Sequence, residues 1–454
     1  MRLKSLQNVL KKEIRKAEVY TIIDKGIYWN FLQKRIGLVL IISLILIGFF
    51  FQTYPHFYTW DTDAPSFYTA AKGILKHINI YDPQEFQQLA DSLFGRSNVV
   101  FPYLYWPILA QVFTPFTLLS YSDYSQVLLI INIILTFVCV YLIYAVLDLD
   151  KRKTNLPLIF LFLIVFFNSP LQETLHHGQV NILVFATILL SLLLLKRRKE
   201  FLSALLLCLA IFFKIYPVLF VILFFFQKRY RYLIYTAINF VYITILSVLL
   251  FSFNSWLYFI KMALNNFIYG KKTEFFFDFN AQWGNFSLNG LISQLLMRFN
   301  LPRSYVMLVL TLVVIFSFFI FLPRLKKLIK SSDIGLVASV VLTIIIILST
   351  ISWRHHYFIM MFPIAYFFNK IITERRYTYL IPFLLLTYPI LYAPFGGGFP
   401  FNQIMLISTM LFLWLLLHYH FSGISGKEGE MERYEEERAK KLRILQHYES
   451  KEIV

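Results

Sequence analysis

Cysteine is almost absent from this sequence, which has two in a chain of 454 residues. Both Cys139 and Cys208 lie inside apolar runs, so the pattern disfavours a disulfide scaffold and a cysteine metal site. Acidic residues are also few, 25 against 43 lysines and arginines, and the formal charge is +18. Because the basic residues form short clusters between apolar runs, this charge indicates membrane orientation and lipid headgroups, and no nucleic-acid partner is expected.

Charged residues make up only 15% of the chain, whereas 58% of the residues are hydrophobic and 19% aromatic, with a mean hydropathy of +0.63. These values predict an all-α integral membrane protein. Many of the apolar runs approach the roughly 17 to 25 residues that a helix needs to cross the hydrocarbon layer. We predict about twelve transmembrane helices, at residues 36–53, 125–148, 155–168, 179–195, 201–213, 215–226, 232–253, 304–323, 334–350, 356–369, 377–393 and 402–420.

Residues 103–119 form a further apolar stretch, which Pro107 and Pro115 interrupt. We interpret it as a re-entrant or surface-lying helix, since irregular backbone is tolerated at membrane depth where protein covers it. If it crosses the membrane, the count becomes about thirteen. Spans 201–213 and 215–226 are too short to cross unaided, so we expect a hairpin with Lys214 at its tip.

The first 35 residues carry nine lysines and arginines, with apolar residues at helical spacing. They predict a basic amphipathic segment on the inner leaflet, and no cleavable signal peptide is evident. The positive-inside rule places both termini in the cytoplasm, including a charged tail at 421–454. The transmembrane domain, 36–420, then has outer loops at 54–124, 169–178, 254–303 and 351–355.

Two carboxylates, Asp61 and Asp63, follow the first predicted span. Ionised carboxylates are strongly disfavoured in hydrocarbon, and acids held beside a bilayer often mark a site. We predict that one of them is catalytic. An ordinary hydrated loop is the alternative.

Polar residues also collect in the other predicted outer loops. The turn at 168–181 offers His176, His177, Gln179 and Asn181, whose amides suit sugar hydroxyls, although a helix-capping turn explains it as well. Gly178 there permits a close backbone approach. The long loop contains Asn285 and Ser287 beside Trp283, either a sugar-binding surface or a plain surface turn.

Three cationic features complete the candidate set. Lys214 is nearly alone among apolar residues and can neutralise a phosphate or snorkel towards the membrane border. Arg354 lies in a short outer turn, against the positive-inside trend, with His355 and His356 beside it. Arginine can bind phosphate bidentately and histidine can donate to it. Two adjacent histidines point in different directions, which disfavours a metal bound by this pair.

These pieces, in their order, resemble the polyprenyl-phosphate-mannose-dependent mannosyltransferases of GT-C architecture, the group that includes bacterial alpha-1,2-mannosyltransferases. The matching segments are Asp63 with 67–71, then 80–83, 105–107, 178–181, 214–217, 285–290 and 352–356. The resemblance implies a GT-C-type helical bundle with Asp63 as the catalytic carboxylate and Asp61 as a second candidate. Among the matching segments, Tyr68, Tyr81 and Trp106 are assigned to substrate binding. His77 stands where the family more often has glycine.

The resulting hypothesis is an inverting transfer of a hexose, mannose by resemblance, from a polyprenyl-phosphate sugar to a lipid or glycan acceptor. It takes place at the outer face of the plasma or inner membrane. Because several cations are available for the leaving phosphate, neither a metal nor another cofactor is expected. A transporter of lipid-linked sugars is the alternative from another class, although no internal repeat is visible. A glycan ligase with a diphosphate donor is a third possibility.

Overall fold

The computed structural model describes residues 35–55, 63–95, 100–149, 154–266, 269, 284–392 and 403–421. All the regular elements in these ranges are helices, as the composition predicts. The first group is α1 (Arg35–Thr53), α2 (Ala64–Leu75), α3 (Pro83–Phe94), α4 (Pro107–Phe113), a 3-10 turn (Thr114–Leu118) and α5 (Tyr121–Val146). The predicted segments 1–34 and 422–454 lie outside the described residues.

The remaining helices follow in two groups. The middle of the chain contains α6 (Leu156–Phe166), α7 (Ser169–His176), α8 (Asn181–Lys196), α9 (Glu200–Phe213), α10 (Val218–Phe226), α11 (Tyr230–Leu250) and α12 (Phe253–Asn266). The last third contains α13 (Leu288–Arg298), α14 (Tyr305–Lys330), α15 (Ile334–Leu348), a 3-10 helix (Arg354–Met360), α16 (Met361–Thr373), a 3-10 turn (Tyr377–Tyr379), α17 (Leu380–Tyr392) and α18 (Ile404–Phe421).

Four of these described helices, α5, α11, α14 and α18, are long and apolar enough to cross a membrane. The bent pair α6 and α7, with 42° between its axes, makes a fifth if it counts as one span. The predicted number of about twelve spans is therefore not confirmed. Other predicted spans are shorter apolar helices such as α8, α9 and α15. At about 1.5 Å per residue, such helices are shorter than the roughly 30 Å hydrocarbon layer.

Helix α8 lies at the centre of the described bundle. Ile182, Val184, Phe185, Ile188 and Leu189 are fully buried along its length. It packs against α5 and α9 and also touches α15 and the 3-10 helix Arg354–Met360. Because α8 is apolar on all sides, it can be buried inside the bundle. Its two ends meet different clusters of polar residues.

The start of α2 is attached to the turn between α7 and α8. The backbone N–H of Ala64 donates to the carbonyl of His177 at 3.1 Å. Gly178 has φ +61°, and a Cβ built there would lie 2.6 Å from the Cβ of Ala64. Glycine is the residue that tolerates both the left-handed backbone and this approach. The contact brings Asp63, one residue before α2, to the N-terminal end of α8.

Candidate active site

Asp63 is the N-cap residue of α2, but its carboxylate makes no capping hydrogen bond to that helix. It is buried and accepts a hydrogen bond from the side chain of Gln179. Burial raises the pKa of Asp63 to about 6, against the opposing effects of the Gln179 hydrogen bond and the charge of Lys214. The side chain is therefore a carboxyl group near its titration range at neutral pH, as a general base requires.

Hydrogen bonds hold Gln179 through both its side chain and its backbone. The hydroxyl of Tyr105 donates to its Oε1 at 3.2 Å, which orients the amide so that the NH₂ group faces Asp63. The side-chain amide of Asn132 donates to its carbonyl at 3.2 Å, and its own N–H donates to Thr174 at 2.9 Å. These bonds leave the Gln179 amide in one orientation, so it is a pre-positioned donor for the carboxylate.

The amino group of Lys214 points into the protein rather than towards a membrane border. Its Nζ donates to Oδ1 of Asn181 at 2.6 Å and lies 5.4 Å from the centre of the Tyr105 ring. Burial lowers the pKa of Lys214 to about 7, although the charge of Asp63 opposes this shift. Lys214 lies in the connection between α9 and α10, and this connection brings its nitrogen to the same cluster as Asp63; the predicted hairpin packing of the two helices stays a prediction.

His356 contacts Lys214 from the opposite side. Its Nε2 lies 2.9 Å from Nζ of Lys214, while its Nδ1 accepts a hydrogen bond from the backbone N–H of Trp353 at 3.2 Å. Because Nδ1 is an acceptor, the neutral ring carries its proton on Nε2, which faces the lysine. That contact is a hydrogen bond only when Lys214 is a neutral amine, consistent with its lowered pKa.

Arg354 and His355 face a second acid, Glu173 of α7. Nε of Arg354 lies 3.6 Å from Oε1 of Glu173, and Nδ1 of His355 lies 3.9 Å from Oε2. Asn181 holds this segment in place, because its Nδ2 donates to the carbonyl of His355 at 3.1 Å. Burial, together with His356, Lys214 and His177, lowers the pKa of His355 well below its usual value. The ring is therefore neutral at physiological pH.

Glu173 was missed at the sequence level, as was the role of Tyr105 in orienting Gln179. Glu173 lies in the turn that was singled out for its histidines, and an acid next to apolar helices could have marked it. In the sequence, Tyr105 stands out only as part of the matching segment 105–107. Nothing in the spacing of residue 105 indicates a contact with residue 179.

Glu173, His177 and His355 also form, among the described residues, a group that could hold a metal ion, with ligand atoms within 4.8 Å of one another. The types of donor suit a transition metal. The surroundings do not, because Arg354 shares the carboxylate of Glu173 and Lys214 lies just beyond His355 and His356. The charge of Arg354, and that of Lys214 when it is protonated, repels a dication. His355 and His356 face different partners, with their rings at 88°, and the expectation that no metal is needed remains a prediction.

The other histidines of the candidate set lie at the border of this cluster. His177 contacts the ring of His355, with 5.8 Å between ring centroids, and His176 packs on His177 at 5.2 Å. Both are half-buried. Asp61 lies outside the described residues, so the structure describes only Asp63 of the two candidate bases.

Three aromatic candidates do not contact Asp63 through their polar groups. The hydroxyl of Tyr68 donates to the carbonyl of Leu119 at 2.8 Å, and that of Tyr81 donates to the carbonyl of Tyr105 at 2.8 Å. Trp106 packs on Phe259 with 4.3 Å between ring centroids. The contacts of Tyr81 and Trp106 hold the segment that carries Tyr105, whereas Tyr68 bonds to Leu119, just after the 3-10 turn.

Asn285 and Ser287 join the long loop to the turn before Arg354. Oδ1 of Asn285 accepts from the hydroxyl of Ser287 at 2.8 Å and from the backbone N–H of Ser352 at 3.0 Å. The hydroxyl of Ser287 in turn accepts from the N–H of Gly290 and caps α13. Both residues are buried, which argues against a plain surface turn, and their hydrogen bonds position residues 352–356. Sugar binding by these two residues stays a prediction.

In sum, the structure brings Asp63, Gln179, Asn181, Lys214, Arg354, His355 and His356 into one buried cluster. A comparison with protein families matches residues 103–350 to the model described as Glycosyltransferase family 87. No curated protein matches the chain.

Proposed function

This chain belongs to glycosyltransferase family 87 and is a membrane glycosyltransferase; we propose that it transfers a hexose, with mannose the first candidate, from a polyprenyl-phosphate sugar to a lipid or glycan acceptor. The reaction takes place on the extracytoplasmic face of the plasma or inner membrane and inverts the anomeric centre. Family membership favours this reaction over the transport of lipid-linked sugars.

Asp63 is the proposed general base. The acceptor hydroxyl gives its proton to the carboxylate while its oxygen forms a bond to the anomeric carbon. The bond from that carbon to the phosphate oxygen breaks on the opposite side, and polyprenyl phosphate leaves with the electron pair. A base so placed contributes roughly 10² to 10⁴ in rate. Asp61 remains the second candidate for this role.

Lys214, Arg354, His355 and His356 are the proposed partners of the leaving phosphate. Negative charge grows on that group in the transition state, and fixed donors in a site shielded from water stabilise it strongly. When the phosphate arrives, protonation of Lys214 is favoured, because the new anion offsets the cost of burial that lowers its pKa. Glu173 holds Arg354 and His355 near this position in the absence of donor.

One observation carries the proposal, namely the burial of an acid and several nitrogen donors in a single cluster. Asp63 and Lys214 come from segments 151 positions apart by their residue numbers, and they interact electrostatically through buried surroundings. A purely structural role does not explain this arrangement, because the burial of unpaired charges is costly. The cluster has the two halves that glycosyl transfer needs, a base and an electrostatic partner for the departing phosphate.

The test is a transfer assay with purified protein in lipid nanodiscs. Polyprenyl-phosphate mannose, glucose and a pentose are offered separately, with a sugar nucleotide and a polyprenyl-diphosphate sugar as controls. We expect transfer from a polyprenyl-phosphate hexose and a product of inverted configuration by NMR. Transfer from the diphosphate donor alone contradicts the proposed donor class, and a retained configuration contradicts the single-displacement mechanism.

A further inference from the structure

A cavity of about 530 Å³ opens at the end of α8 and α9 that lies away from Lys214. The connection between α8 and α9 contributes Arg198 and Lys199, and the connection before α11 contributes Arg229, with Arg231 in its first turn. Glu200 is the acid in the lining. The cavity is therefore strongly cationic.

The basic residues lie where a helix least favours them. Lys199 and Arg229 are the N-cap residues of α9 and α11, and neither makes a side-chain capping bond. Helix N-termini carry partial positive charge and unsatisfied N–H groups, so cations there are unfavourable and anions are stabilised. Glu200 offsets part of this charge in α9, while the first turn of α11 has no acid. An anion bound between the N-termini of α9 and α11 would interact favourably with both helix ends.

The polar contacts inside the cavity leave most of its charge unmatched. Nε of Arg231 donates to the hydroxyl of Tyr235 at 3.0 Å and lies 3.7 Å from Oε2 of Glu200. One carboxylate at a long distance does not neutralise four cationic side chains.

Apolar side chains flank the same cavity. Phe201 and Leu202 line it and are 48% and 46% exposed. On α11, Ile234 and Ile238 are 58% and 53% exposed. Helix α11 is long and apolar enough to cross the membrane, so this exposed surface faces acyl chains. A ligand that combines a phosphate with hydrocarbon chains therefore matches both parts of the surface.

We propose that this cavity binds the headgroup of an anionic phospholipid, whose acyl chains run along the exposed faces of α9 and α11. Basic pockets between membrane helices are known to suit such headgroups. Helix α9 has Glu200 at this cavity and ends just before Lys214, so the two sites are about 20 Å apart along one helix. The lipid is therefore distinct from the donor and is not consumed.

The experiment measures lipid retention and needs no transferase activity. Purified protein is stripped of lipid, incubated with phosphatidylglycerol, cardiolipin or phosphatidylcholine, and analysed by native mass spectrometry and thermal unfolding. Arg198→Gln with Arg229→Gln removes two cavity charges. Lys76→Gln with Arg375→Gln removes two exposed charges that neither line this cavity nor flank a residue that does, and serves as the matched control. We expect the cavity variant to bind anionic lipid about 10- to 30-fold more weakly, with the control unchanged.

Equal losses in both variants would show diffuse attraction to the basic surface and would overturn the proposal. Displacement of the lipid by millimolar inorganic phosphate would also overturn it, in favour of a soluble anion. If the first cavity variant is unstable, Lys199→Gln with Arg231→Gln tests the same charges. A failure of sugar transfer leaves this result unaffected, because the readout is lipid binding.

Discussion

Asn181 binds Lys214 through its side-chain oxygen at 2.6 Å, although 33 positions separate the two residues. The other end of the same amide donates to the carbonyl of His355. One side chain at the start of α8 therefore sets the distance between the lysine amine and the histidine turn. The buried amine can in this way face both Asp63 and the place proposed for the donor phosphate.

Replacement of the proposed base tests the central step. Asp63→Asn keeps the shape of the side chain and cannot accept a proton, so we expect the transfer rate to fall about 10²- to 10⁴-fold. Asp91→Asn in α3 is the control, because its oxygen can still accept from Gln87. Steady-state rates at saturating donor measure the effect. Full activity of the Asp63 variant would transfer the role to Asp61.

The dependence of kcat/KM on pH should be bell-shaped. Asp63 has a raised pKa of about 6, so the base is lost as the pH falls below that value. Lys214 has a lowered pKa of about 7, so the free enzyme loses this cation as the pH rises above it. Lys214→Arg keeps the positive charge at all working pH values, because the arginine pKa exceeds about 12. We expect the basic limb to vanish in that variant, and an unchanged limb would exclude Lys214 as its origin.

Loss of the donor to Asp63 should shift the acid limb. The Gln179 hydrogen bond lowers the pKa of Asp63, so Gln179→Leu should raise that pKa and move the acid limb to higher pH. Tyr105→Phe frees the Gln179 amide to rotate and should give a smaller shift in the same direction. Tyr242→Phe, at an exposed position, is the matched control. A fall in rate with no shift in the limb would indicate a purely structural role.

Removal of metal should leave activity intact. Transfer rates measured in EDTA and after dialysis should match the untreated protein, because Lys214 and Arg354 supply positive charge at the proposed phosphate position. Glu173, His177 and His355 are the group to suspect if activity is lost. In that case, Glu173→Gln should abolish the recovery produced by added Zn²⁺ or Mn²⁺, as measured by metal content and rate together.

Gly178 should not tolerate a side chain. Gly178→Ala places a Cβ against that of Ala64 on a left-handed backbone, and such strain costs roughly 1–3 kcal/mol. We expect a lower thermal unfolding midpoint and reduced transfer, since Asp63 moves with Ala64. Gly284→Ala, whose Cβ would have no atom of the described residues within 4 Å, should unfold as the wild type does. Equal midpoints for both variants would contradict the close approach.

Much of the candidate site was predictable from residue chemistry. Three features are unusual for their position, namely Lys214 among apolar residues, the Arg354 turn and the polar turn at 178–181. Charge is costly next to a membrane, and glycine marks a special backbone conformation. The roles of the aromatic and amide candidates are harder to predict from the sequence. Tyr68 and Asn285 are polar residues in unusual surroundings, but their atoms bond within the protein, and a sequence pattern does not distinguish a ligand contact from an internal one.

That the protein is a helical membrane protein follows from its residues alone, because apolar content and run length can be read from them directly. Which polar residues meet depends on the packing of the helices. The approach of α2 to the turn before α8, the pairing of Glu173 with Arg354 and the orientation of Gln179 by Tyr105 join residues far apart in the chain. Helical periodicity reports on neighbours within one helix, whereas these contacts depend on how separate helices pack.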